Sequence, residues 1–182
     1  VLVAVIVTCE VLFWVFVLAG LATRYLLRRP RLGGWLLVAA PLVDLVLLVA
    51  TVLDLRGGAT ATTAHALAAV YLGVSVGFGH SMIRWADVRF AHRYAGGPPP
   101  EPAPRAGREH AAHQRRGFAR HAVAFAVGAG LLGLAIVVIG DPSRTGAFLD
   151  TLRLWAIVVA VDGIISLSYT VRPRPAGVGA RR

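Results

Sequence analysis

Glu10, Asp44 and Asp162 are carboxylates set in stretches otherwise apolar enough to cross a bilayer. An acid at hydrocarbon depth is costly, so it is commonly neutralised, paired or in use. His65 and His80 lie in another such stretch, and imidazole is a natural proton partner for a carboxylate. These five residues form the candidate set for a proton or cation site, with buried polar contact between helices as the structural alternative. Asp44 follows Pro41 by three positions. Proline removes an intrahelical hydrogen bond and frees the Leu37 carbonyl, and an acid beside loosened backbone suits a cation or proton.

Asp44, Asp162 and His80 would also offer acid–base groups or metal ligands to a membrane-embedded enzyme. The chain has no HExxH, no nucleophile elbow and no compact His/Asp cluster. The reading therefore nominates no catalytic, cofactor-binding or metal-binding residue, and no cofactor is expected. The lone Cys9 rules out an internal disulfide and CxxCH haem attachment, leaving histidines on different helices as the remaining route to haem. His110 and His113 can share a helix face, but no third ligand stands at useful spacing, so a solvated or headgroup-facing surface is expected there.

The elements that must position these residues are transmembrane helices. Of 182 residues, 57% are hydrophobic and 15% charged, more apolar than an ordinary globular domain. Five spans of about 20 residues, the length a bilayer core demands, are predicted near 4–24, 33–53, 62–82, 120–140 and 150–170. The fold class is an all-α polytopic transmembrane bundle. Its organisation is three helices in 1–83, an Arg/Pro-rich loop in 84–118, two helices in 119–171 and a basic tail in 172–182.

The net charge of +10 raises a nucleic-acid reading, which its distribution opposes. Every basic side chain other than histidine is arginine, and no aromatic stacking platform is interleaved with them. Alternate connections carry 16 and 3 arginines. The positive-inside rule then directs the N-terminus outward and the C-terminus to the cytoplasm of a multi-pass cell-membrane protein. The arginines are expected to contact anionic lipids.

Between the third and fourth spans, Pro98–Pro104 reads as an extended spacer. Its flank 82–90 reads as a short interfacial helix, and 108–116 as an extension of the fourth span. Ala69, Gly73 and Gly77 form a small-residue stripe on the third span, matched on the fourth by Ala126 and Gly130. These two spans are predicted to pack closely, with other small faces available to a homo-dimer or another membrane subunit.

Helical rise puts Asp44 and Asp162 within roughly 5 Å of the midplane and Glu10 about 6 Å outward. Glu10 is accordingly expected to meet His65, and Asp44 to lie nearer Asp162. Three classes of function stay open. The first is a non-enzymatic accessory or helix-interaction protein, which is favoured. The others are proton- or cation-linked transport or channel activity, and a membrane-embedded enzyme.

Overall fold

The structure, a computed structural model, describes residues 2–94 and 96–172. The side chains of Leu2, Val3, Val5, Ile6 and Glu10 and the basic tail 173–182 lie outside the described residues. Every described element is a helix: α1 (Leu2–Tyr25), α2 (Pro30–Arg56), α3 (Thr63–Tyr94), α4 (Gly107–Ile139) and α5 (Gly146–Val171). All five are long and apolar enough to cross a membrane.

Local chemistry sets the helix ends. Pro30 opens α2, where a missing N–H costs nothing. Gly57 closes it, donating its N–H to the Leu53 carbonyl, while the N–H of Gly58 reaches the Leu55 carbonyl. Gly140 ends α4 in the left-handed region (φ 69°), with its N–H on the Ile136 carbonyl, a conformation glycine adopts without a Cβ penalty. Pro41 is accommodated within α2.

Both flanks of the 84–118 segment are helical, 108–116 as an extension of the fourth span and 82–90 as a continuation of α3 instead of a separate short helix. α3 continues to Tyr94 and α4 begins at Gly107, and the described residues 96–106 between them are not helical. Charged residues do not stop a helix where water or a neighbouring helix takes their side chains. His110, expected on a solvated surface, is buried: its Nδ1 lies 2.8 Å from the Pro104 carbonyl and its ring stands edge-on to Tyr169 at 4.8 Å. A carbonyl only accepts, so Nδ1 carries the proton.

α1 lies along α2, while α3, α4 and α5 form a second group, with α2 joining the two. The apolar core gathers where α2, α3, α4 and the start of α5 meet, around Leu48, Leu55, Ala69, Leu132 and Phe148. Large apolar side chains such as Trp14, Leu18, Val46, Val137 and Ile164 cover the outside. That inversion is natural where lipid, not water, is the solvent.

Arg144 ties together the end opposite the arginine-rich connections. Its Nη1 donates to the Leu55 carbonyl (3.2 Å), its own carbonyl accepts from Ala61 N–H (2.8 Å), and its Nε reaches Asp141 at 3.0 Å. The Asp141 carboxylate also accepts from the Ser143 hydroxyl (2.6 Å) and backbone N–H (3.0 Å). These bonds, the hydroxyl's foremost, with Arg144 close by, hold the Asp141 carboxyl below its ordinary range.

Candidate functional site

The contact between α3 and α4 is made backbone to backbone. A Cβ on Gly73 would strike the Ala124 carbonyl, and one on Gly128 would strike the Trp155 ring and, at 3.0 Å, the Ala69 carbonyl. Gly77 faces Ala124 and the Arg120 carbonyl. Ala69, Gly73 and Gly77 thus line this contact, but the predicted partners on α4 need correcting. Ala126 and Gly130 are exposed, and the face actually used carries Ala124, Gly128, Leu132 and Ala135. Two residues along a helix is a turn of about 200°, so these are opposite faces. α4 is rich enough in small residues to offer both, and the fit of Trp155 over Gly128 selects one.

Beside this seam sits a polar chain. Trp155 on α5 donates its indole N–H to His121 Nε2 on α4 (3.3 Å), and His121 Nδ1 lies 3.1 Å from Asp162 Oδ2 on α5. An indole can only donate, so Nε2 is the bare nitrogen and Nδ1–H points at the carboxylate. The tautomer follows from the geometry, and Asp162 has its partner on α4. The expected neighbour of Asp162 was Asp44, which belongs to α2 and has no such bond. α5 packs chiefly on α4 and to a lesser degree on α3.

Asp44 is 6% exposed, and its Oδ2 has no hydrogen-bond partner among the described residues. Two turns along the same face of α2, the fully buried Thr51 Oγ1 is equally unsatisfied. His65 is also buried, but its Nδ1 is occupied locally by the Thr62 backbone N–H at 3.2 Å. The proposed Glu10–His65 contact involves a side chain outside the described residues. His80 is exposed and lies 3.4 Å from Arg84 one turn on. Among the described residues no three His, Cys, Asp or Glu side chains could hold a metal ion together.

Sequence reasoning missed one further cluster, at the arginine-rich end. Arg24, in the last turn of α1, grips Asp87 of α3 with two N–H groups: Nε donates to Oδ1 at 2.7 Å, and Nη2 pairs with Oδ2. Arg24 Nη1 also donates to the Pro30 carbonyl (2.9 Å), and the Tyr25 hydroxyl donates to Asp87 Oδ1 (2.9 Å). The Tyr25 ring stacks on Phe90 with centroids 4.4 Å apart. Gly33 brings α2 against this turn, since a Cβ there would meet Arg24 Cβ at 2.6 Å. Together Arg24, Tyr25, Arg28, Pro30, Asp87 and Phe90 line an open cleft of about 570 Å³. A signal existed: Asp87 is the sole acid from Met82 to Pro100, amid arginines read as topology and lipid contacts.

Five apolar membrane-length helices with polar side chains paired across them define a polytopic helical membrane protein. The chain is 44% identical over 169 residues to a protein of Bacillus subtilis (strain 168) named uncharacterized membrane protein YmcC, covering 93% of this chain and 91% of that one. It belongs to the same family. No family model and no solved structure matches it.

Proposed function

We propose that this protein is a non-enzymatic accessory protein of the cell membrane. On this reading it acts through helix contacts with a second copy or another membrane subunit. Its N-terminus faces outward, and its arginine-rich end rests against anionic headgroups on the cytoplasmic side. The observation that carries the reading is where the polar groups go. Asp162 and Asp87 are each spent on a neighbouring helix. The clefts beside Arg24 and Arg28 and beside Arg29 and Arg31 both lie at the α1–α2 turn, and neither takes in Asp44, His80 or Asp162. A transporter would want those acids on a shared water-connected path. The uncovered face with Ala126 and Gly130 suits close approach by another helix.

Flux assays in proteoliposomes test this directly. No proton or monovalent-cation flux above protein-free vesicles is expected, together with a dimer or higher assembly in nanodiscs that Gly130→Leu disrupts. Wild-type flux that disappears in Asp44→Asn or Asp162→Asn would overturn the proposal. Such a result would favour proton- or cation-linked transport, the second reading, which the unpartnered buried carboxylate of Asp44 recommends.

A further inference from the structure

The cleft between the α1–α2 turn and α3 has a charge balance that points to a ligand. Asp87 receives two N–H groups from Arg24 and one O–H from Tyr25, so its negative charge is compensated within the protein. Arg28 lines the same cleft with no hydrogen bond or ion pair to any described residue. Its backbone is left-handed, with φ of 53°, an uncommon conformation for a residue other than Gly, Asn or Asp. Two exposed leucines, Leu26 and Leu27, precede it at the end of α1.

Height matters as well. Asp87 is 24 residues along α3 from Thr63, about 36 Å of helix. That distance is just beyond a hydrocarbon core about 30 Å thick, where lipid phosphates lie. The cleft therefore has one unneutralised guanidinium, spare N–H groups on Arg24 and an aromatic wall at Tyr25 and Phe90. An arginine so placed matches a phosphate oxygen pair by bidentate geometry.

We propose that this cleft binds a phosphate group, with Arg28 as its principal ligand and the Arg24–Asp87 pair as a fixed floor. The phosphate belongs either to an anionic phospholipid headgroup or to a soluble phosphate. The proposal rests on the headgroup-contact reading above and narrows it from a diffuse basic surface to one site.

Native mass spectrometry of the full chain in detergent, titrated with phosphatidylglycerol or phosphatidylcholine, tests it. Arg28→Asn keeps a residue that tolerates the left-handed backbone while removing the charge; Arg31→Gln, in the neighbouring cleft, is the control. Wild type is expected to retain phosphatidylglycerol over phosphatidylcholine, with about tenfold weaker retention in Arg28→Asn and little change in Arg31→Gln. Inorganic phosphate that competes in wild type but not in Arg28→Asn supports the same site with a soluble occupant. Equal weakening by both substitutions, or none by Arg28→Asn, overturns the site and leaves the diffuse headgroup reading standing. No preference for phosphatidylglycerol in wild type, with no phosphate binding, overturns both. Should Arg28→Asn fail to assemble, a photoreactive phosphatidylglycerol must label peptides spanning 24–31 or 87–91 of wild type. Labelling confined elsewhere sinks the proposal.

Discussion

Asp87 and Asp44 are the same residue with opposite circumstances. Asp87, at the arginine-rich end of α3, has three donors from two consecutive residues of α1. Asp44, inside α2, is more deeply buried and has a carboxylate oxygen with none. The first holds two helices in register. The second does no bonding work at that oxygen, so removing it forfeits nothing there. Burial alone does not rank intramembrane acids; the count of donors does.

The sharpest way to break this contrast is to remove Asp87. Asp87→Ala strands Arg24 without its acceptor, and a loss of about 1–2 kcal/mol is expected in unfolding or steric-trapping measurements. That figure is below the cost for a fully buried pair because the Asp87 side chain is 37% exposed. Asp44→Ala should change stability far less, by about 0.5 kcal/mol or under, since it removes a buried oxygen without a partner and leaves only a small cavity. A loss as large as that of Asp87→Ala would show that Asp44 has a bonded role and erase the distinction.

Asp162 falls between the two, with a single described partner. Asp162→Asn keeps an oxygen for His121 Nδ1–H, so a loss of only about 0.5 kcal/mol is expected. Asp162→Leu should cost more, as measured by the same unfolding assay. The smallest effect belongs to Asp141 in the α4–α5 turn. Its carboxyl is held below the ordinary value of 3.8 by Ser143, so the turn's stabilisation is complete above that pH. It is lost as pH falls through the lowered folded value. Proteolysis of this turn should accelerate on that acid limb in wild type, and Asp141→Asn should remove the dependence.

The five spans were legible because apolar length and arginine alternation are one-dimensional signals. So was the Ala69, Gly73 and Gly77 stripe, since α3 has few competing small faces. The rest turned on helix rotation, where one residue is about 100°. Ala126 and Gly130 fit the four-residue spacing as well as Ala124 and Gly128, and only the position of Trp155 separates them. The partner of Asp162 was hidden for the same reason: the sequence contains His121 but does not say which helix its ring faces. Asp87 was obscured by its surroundings, an acid read as one more interfacial charge.

The length of α3 and α4 has a consequence for what can reach this protein. Their 32 and 33 residues amount to about 48–50 Å, against a hydrocarbon core of about 30 Å. Both helices share the end tied by Arg144, so the excess emerges at the other and carries the Pro98–Pro104 connection with it. In a bilayer crossed without tilt from the Arg144 end, the tip of this pair would stand about 10 Å past the headgroups, farther than the Debye length of about 8 Å at physiological salt. Glu101 and Arg105 at that tip would then be largely screened from the membrane's surface potential, leaving lipid contact to the arginines nearer the bilayer. A soluble molecule approaching the tip would meet the same charges whatever lipids lie beneath it.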